Sequence, residues 1–313
     1  MANLNARKIR LVTRWLFTAL VMGLVIWAVD GQSLRQELGR MSPLILLPAL
    51  TLTVFQVLLS AWRWRYTVER LGLSLPFGIA VREYYLATFL NQVLPGGVLG
   101  DVNRAWRHGN GAGQRLSAVH GVAIERLSGQ VVLAVVVAVS VGWLSQSGRF
   151  ASLPVGDSLW LVYGITGLIF VTWMALTFGL VERLASYLTH LRRDLFQSLL
   201  GWPMLPAQIG SSLLVLASYL GVFLCLAWGA GYLESSQAVL LMVALGSILL
   251  LSMVIPLTVA GWGVREGAAA MLWPMAGLPA EQGVALSVGY GTLVLVSSLP
   301  GMILVFAGRP RLA

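Results

Sequence analysis

The sequence predicts an all-α polytopic membrane protein: six full transmembrane helices plus two re-entrant broken-helix hairpins, arranged as an inverted-topology repeat. Three observations lead there. The 313 residues are 58% hydrophobic and only 11% charged, with a mean hydropathy of +0.81, whereas a soluble domain carries about 25% charge. Six apolar stretches each come close to the ~20 residues that cross a bilayer core. Two further apolar stretches run into Pro/Gly breaks of matching spacing.

This composition excludes a water-soluble globule, a disordered chain, a disulfide scaffold and a coiled coil. The one cysteine, Cys225, sits in an apolar run and reads as packing. The net charge is +9, carried by 20 Arg and a single Lys8. In so apolar a chain this balance reads as cytoplasmic loops, not as a nucleic-acid surface.

The six spans are residues 11–29, 44–62, 117–144, 158–180, 207–230 and 281–307. Arg7, Lys8, Arg10 and Arg14 precede the first, and no small-x-small cleavage site follows it. That pattern marks a retained anchor and not a removed signal. Residues 77–94 lead into Leu94-Pro95-Gly96-Gly97, and residues 237–255 lead into Pro256-Leu257-Thr258. Each of these two stretches is either a crossing or one arm of a re-entrant hairpin.

Charge decides between the two. With both as hairpins, sixteen positive residues fall on the cytoplasmic side: the four N-terminal ones, Arg63, Arg65, Arg70, Arg82, Arg104, Arg107, Arg115, Arg183, Arg192, Arg193, Arg309 and Arg311. Only Arg35, Arg40 and Arg149 fall outside, and Arg126 and Arg265 remain at depth. A full crossing at 77–94 would move six arginines outside, against the positive-inside rule. Both termini are therefore expected in the cytoplasm. Trp15, Trp27, Trp62, Trp64, Trp143, Trp160 and Trp202 lie near span ends, as an interfacial aromatic belt would.

The two breaks share a pattern. Pro95-Gly96-Gly97-Val-Leu-Gly100-Asp101-Val-Asn-Arg104 and Pro256-Leu-Thr-Val-Ala-Gly261-Trp-Gly263-Val-Arg265 stand 161 residues apart and both begin P-x4-G. The order span, span, broken hairpin, span also repeats. The whole chain then forms a single transmembrane domain, 1–313, with halves of approximately 1–150 and 151–313. Each half holds three full crossings, an odd number, so the second copy is inverted and the hairpins enter from opposite faces. Irregular backbone at bilayer depth survives only inside protein or beside a cavity, and paired discontinuous helices in inverted repeats are a transporter feature.

Charged residues at depth mark the candidate site. Glu125 and Arg126 lie about 12 Å below the start of their span. Adjacent residues on a helix diverge by about 100°, so these two are expected to seek other partners. Gly121, Glu125, Ser128 and Gly129 share one side. Asp101 and Arg104 can meet at i,i+3 if their stretch is helical. Arg265 and Glu266 follow the second break. Helices that restart after each break would point their N-terminal N–H groups at a shared chamber and favour an anion there, with an arginine fork beside it.

These residues resemble a known family. Asn91-Gln-Val-Leu-Pro95-Gly-Gly97-Val-Leu-Gly100-Asp101-Val-Asn-Arg104-Ala-Trp106-Arg107, Glu125-Arg126-Leu-Ser-Gly and Pro256-Leu-Thr-Val-Ala-Gly261-Trp-Gly263-Val-Arg265-Glu266-Gly are similar, in order, to three signatures of the flippase-like integral membrane family related to the transmembrane part of lysylphosphatidylglycerol synthase. The chain departs from that pattern at Gly97-Val-Leu-Gly100, where Gly-Gly is usual before Asp, and at Ala260, where the family commonly has Gly. The resemblance implies movement of a phosphate-bearing lipid between leaflets of a bacterial or archaeal plasma membrane: a phospholipid, an aminoacyl-phospholipid or a polyprenyl-phosphate carrier. Synthases of the family carry a soluble aminoacyl-transfer domain after the membrane part, which this sequence does not show.

The expected function is therefore a lipid translocase and not an enzyme, without cofactor or metal. Arg104, Arg265 and Arg126 would bind the anionic headgroup. Asp101, Glu125 and Glu266 would balance charge or relay protons, and Pro95, Gly96, Gly97, Gly100, Pro256, Gly261 and Gly263 would form the hairpin tips. Its partners would be an anionic lipid and the membrane, with no nucleic acid. Two other readings are an accessory subunit for a partner enzyme of lipid or cell-envelope synthesis and an intramembrane lipid-modifying enzyme. The last has only His108, His120 and His190 to draw on, with no H-E-x-x-H, G-x-S-x-G or P-loop motif.

The topology has a direct test. With Cys225 replaced, a cysteine at Gln114 is expected to react with an impermeant maleimide from the cytoplasmic side, and reaction from outside would turn 77–94 into a full crossing.

Overall fold

The computed structural model describes residues 2–94, 97–148, 204–254 and 258–306. Among these there are ten α-helices and no strand. They are α1 Ala2–Ala28, α2 Gly31–Arg40, α3 Leu46–Arg70, α4 Phe77–Val93, α5 Leu99–Ala112, α6 Arg115–Gln146, α7 Met204–Gly229, α8 Ser236–Ser252, α9 Val264–Met275 and α10 Ala280–Phe306. Four segments are long and apolar enough to cross a membrane: Pro43–Arg70, Arg115–Gln146, Met204–Gly229 and Ala280–Phe306. A fifth arises if Trp15–Ala28 and Gly31–Arg40, bent by 96°, form one broken span. The expected span at 158–180 lies outside the described residues.

Local chemistry sets the ends of these helices. Asp30 starts α2 by accepting hydrogen bonds from the backbone N–H groups of Gln32 and Ser33 at 3.4 and 3.0 Å. Ser235 caps α8 through the Ala238 N–H at 3.1 Å. Gly113, at φ +69°, closes α5 in the left-handed conformation that glycine adopts without strain.

The chain folds back on itself between α4 and α5. Glu83, early in α4, pairs with Arg107, late in α5, while Asn91, late in α4, meets Asp101, early in α5. The two helices are thus antiparallel. They approach so closely that a Cβ on Gly100 would lie 2.0 Å from the Ala87 carbonyl oxygen. The corresponding pair, α8 and α9, also pack together, with Met253 at the end of α8 against Gly261 and Arg265.

Packing pairs recur along the chain. α3 packs on α4, α4 on α5 and α5 on α6; likewise α7 packs on α8, α8 on α9 and α9 on α10. Across the molecule, α4 packs on α10 and α8 on α6, while α3 and α7 pack directly on each other. Small residues make these crossings close. Ser140 of α6 hydrogen-bonds Ser247 of α8 at 3.1 Å. In the matching pair, a Cβ on Gly301 of α10 would fall 2.2 Å from the Tyr85 carbonyl oxygen of α4. Ser140 and Gly301 are 161 residues apart, the interval of the two Pro/Gly breaks.

Two buried apolar clusters follow this division in part, the second also taking in Ile45, Ala49 and Leu144 of the first half. One gathers Trp64, Val68, Tyr84, Ala118 and Val122, and the other gathers Phe223, Leu226, Leu245, Trp273, Leu286 and Tyr290. Trp64 corrects one expectation. It is fully buried and not part of an interfacial belt, because it packs against Arg104 and His108.

Among the described residues the clearest backbone strain lies in the α8–α9 connection. Gly261 and Gly263 take φ of +78° and +86°, and between Val259 and Gly261 the alanine Ala260 takes φ +51°. A side chain disfavours that conformation by about 1–2 kcal/mol. Ala260→Gly is therefore expected to stabilise the protein by about 1 kcal/mol, and Gly261→Ala to destabilise it by a similar amount, in thermal unfolding of the detergent-solubilised chain.

Candidate functional site

The polar interior begins with α6. Glu125 is completely buried in the bundle. It accepts hydrogen bonds from the Arg63 guanidinium of α3, from Arg104 Nη2 of α5 at 2.6 Å and from the Tyr84 hydroxyl of α4 at 3.4 Å. Its neighbour Arg126 points elsewhere and donates through Nη2 to Asp101 at 2.5 Å. Asp101 also accepts from Arg104 Nε and Asn91 Nδ2, both at 2.9 Å.

Arg104 thus bridges two carboxylates. Its Nη1 has no hydrogen-bond partner among the described residues, but the guanidinium lies over the rings of Tyr84 and Trp64, 4.5 and 4.8 Å from their centroids. The local sequence explains the arrangement. Helix α5 starts at Leu99, which places Asp101 and Arg104 on one face. Asn91 accepts the Gly100 N–H at 2.7 Å and so fastens the start of α5 to the end of α4. Arg63 reaches the cluster from a polar stripe on α3, Gln56, Ser60, Arg63 and Thr67, all buried. Its Nη1 donates to Ser212 of α7 at 3.0 Å.

Among the described residues three guanidiniums and two carboxylates make up this cluster, which leaves one positive charge uncompensated by them. The group around Arg265 is different. Its Nη2 pairs with Glu266 at 2.6 Å, and Ser287 takes a hydrogen bond from Arg265 Nε and gives one to Glu266. The Glu266 carboxylate also caps α9 by accepting the Gly263 N–H at 2.6 Å. The guanidinium lies 5.5 Å from the Tyr290 ring centroid, where a Cβ on Gly291 would come within 2.1 Å of Nη2. This pair is balanced one to one.

A cavity of about 230 Å³ lies between the two groups. Gly97 of the first break and Thr258, Ala260 and Gly261 of the second all reach it. Its polar wall includes Gln56, Ser60, Thr88, Asn91, Gln92, Gln130, Ser212 and Tyr219. Among the described residues its charged lining is Arg63 and Arg126. Tyr84 and Tyr290 face the cavity, each with a guanidinium against its ring, Arg104 and Arg265 respectively.

Residues 11–301 match the family model described as the lysylphosphatidylglycerol synthase TM region. The chain belongs to this family. It is a multi-pass membrane protein, and its family ties its function to membrane lipids. No curated protein matches the chain.

In this lysylphosphatidylglycerol synthase TM region, the residues singled out in sequence fall into distinct places. Asp101, Arg104, Glu125 and Arg126 come together in the first cluster, and Arg265 and Glu266 make the second. Gly97 and Gly261 line the cavity, whereas Gly100 packs on α4 and Gly263 lies against Val21 of α1. Pro95, Gly96 and Pro256 lie outside the described residues. Arg104 and Arg265 are 0% and 1% exposed and do not line the cavity, while the Arg126 side chain is 36% exposed.

The sequence reading missed Arg63. It placed Arg63 with the cytoplasmic positives because the apolar run ends at Trp62, but the residue is buried and paired with Glu125. The 3.6-residue spacing of Gln56, Ser60, Arg63 and Thr67 was the signal that could have found it.

Removing a carboxylate from this cluster strands buried cations. Glu125→Gln is expected to lower stability by about 3–5 kcal/mol, read as a fall in thermal midpoint. Adding Arg63→Gln to it should restore part of the loss, and a double variant less stable than Glu125→Gln alone would refute the charge argument.

Proposed function

We propose that this chain is a lipid translocase that carries phosphate-bearing lipids between leaflets, and that Arg126, flanked by Arg63, meets the headgroup phosphate. One observation carries the reading: a polar cavity reached by both chain breaks, walled by guanidiniums from a cluster with one excess positive charge. A headgroup at bilayer depth must exchange its hydration for protein partners. Here it would find carboxamides, hydroxyls and a cation. The Arg126 side chain lines the cavity and is 36% exposed, so it can serve a ligand oxygen without giving up Asp101.

In this reading the two other arginines act from behind the wall. Arg104 ties Asp101 to Glu125 and so positions Arg126 and Arg63. Arg265, neutralised by Glu266, anchors the second break. Asp101, Glu125 and Glu266 balance charge. The chain is a transporter and not an enzyme.

The proposed architecture is an inverted repeat with α4–α5 and α8–α9 as hairpins entering from opposite faces. The 161-residue interval and the matched packing of α3–α6 and α7–α10 support it. Cytoplasmic termini in a bacterial or archaeal plasma membrane follow from the distribution of arginines. Rocking of one repeat against the other would then expose the cavity to each leaflet in turn.

Reconstitution tests the proposal. Vesicles holding the protein should flip fluorescent phosphate-headed lipids faster than protein-free vesicles. Arg126→Ala should cut the rate by about tenfold or more while the protein elutes as a folded species, because Asp101 keeps Arg104 and Asn91. Rates equal to empty vesicles across several such lipids would sink the translocase reading.

A further inference from the structure

Resting on the translocase reading, we infer that the cavity accepts headgroups that combine a phosphate with uncharged hydroxyl groups, such as a glycerol or sugar phosphodiester, and rejects headgroups that carry an ammonium group. Of the lipid classes that the family resemblance allows, this excludes the aminoacylated one.

The argument begins with charge. The first cluster holds three guanidiniums against two carboxylates, and the second holds one of each. A phosphodiester brings the single negative charge that balances the first cluster. An aminoacyl headgroup adds one or two positive charges to a wall that already has an excess.

Among the described residues an ammonium group also lacks a free carboxylate in the chamber. Asp101 and Glu125 are 6% and 0% exposed, and three donors occupy each of them. Glu266 is engaged by Arg265, Ser287 and the Gly263 N–H. Aromatic faces are the other place a cation could settle, and of the three tyrosines that line the cavity, Tyr84, Tyr219 and Tyr290, two already hold Arg104 and Arg265. Of the undescribed residues 149–203, the acidic ones are Asp157, Glu182 and Asp194, all outside the apolar stretch 158–180.

Hydroxyl groups fare better. Gln56, Gln92 and Gln130 line the cavity, and none forms a hydrogen bond to another described residue. Each carboxamide offers a donor and an acceptor, which matches the two-way hydrogen bonding of a hydroxyl. Ser60 and Thr88 extend the same chemistry.

Binding of short-chain lipids to the full-length protein in detergent, read by thermal shift, tests this inference. Short-chain phosphatidylglycerol should bind about tenfold or more tightly than its lysyl ester. Gln130→Glu, which sets a carboxylate into the wall, should narrow or reverse that ratio, and Gln56→Glu serves the same purpose should the first variant fail to fold. Equal or tighter binding of the lysyl ester to the unsubstituted chain, no binding of either lipid, or an unchanged ratio in a folded carboxylate variant would each overturn the inference. Transport separates it from the translocase reading. Selective binding without flipping would end the translocase reading alone, and flipping of the lysyl ester as fast as phosphatidylglycerol would end the selectivity alone.

Discussion

The double engagement of Arg104 is the contact on which the polar interior depends. Through Nε it holds Asp101 and through Nη2 it holds Glu125, so one guanidinium joins α5 to α6 and, through those carboxylates, to Arg63 on α3 and Arg126 on α6. A charge buried this far from water is costly unless it is paired, and here two carboxylates and two aromatic faces offset that cost. Arginine suits the position better than lysine because its planar fork can address two acceptors at once and still stack on Tyr84 and Trp64. The backbone serves the same end. Gly100 lets α5 approach α4 closely enough for Asn91 to fasten the helix start, and that start sets the height of Asp101.

The two breaks share a spacing but not a charge state. After the first, the arginine is part of a five-member cluster with an excess positive charge. After the second, Arg265 is closed by Glu266 beside it and by Ser287. Ser287 stands 161 residues beyond Arg126, so the position that carries a cation in one half carries a hydroxyl in the other. The same interval therefore relates two different sites: one built to present charge and one built to hide it. The cavity lies between them and touches both breaks, which gives it unlike walls.

Much of the fold was legible because its signals are strong and local. Long apolar runs gave the helices α3, α6, α7 and α10, and Pro/Gly punctuation marked where α4 and α8 end. Asp101 with Arg104 could be paired from i,i+3 spacing, and the divergence of Glu125 from Arg126 followed from helix geometry. What stayed hidden depends on contacts between distant segments. Arg63 meets Glu125 across 62 positions, and only the polar stripe it shares with Gln56, Ser60 and Thr67 sets it apart from Arg65, whose partner Glu69 lies one turn away and exposed. Trp64 was hidden for the same reason, since an aromatic residue at a span end signals an interface unless a buried cation needs its ring. Charge at depth was visible in sequence, but which guanidinium would face the cavity and which would lie behind a tyrosine was not.

The uncompensated charge itself calls for a reason. A bundle selected for stability alone would match each buried guanidinium with a carboxylate, as the Arg265–Glu266 pair does within the same chain. Natural proteins depart from such local rules mainly where function requires it. In the first cluster the departure coincides with the cavity: Arg63 and Arg126 line it, and Arg126 has the most exposed side chain of the three. An anion entering there would complete the pairing that the protein leaves open, so part of its binding free energy comes from relieving a cost already present in the empty bundle. In the proposed reading the same relief is withheld from a neutral or cationic headgroup, so the imbalance would serve affinity and selectivity together.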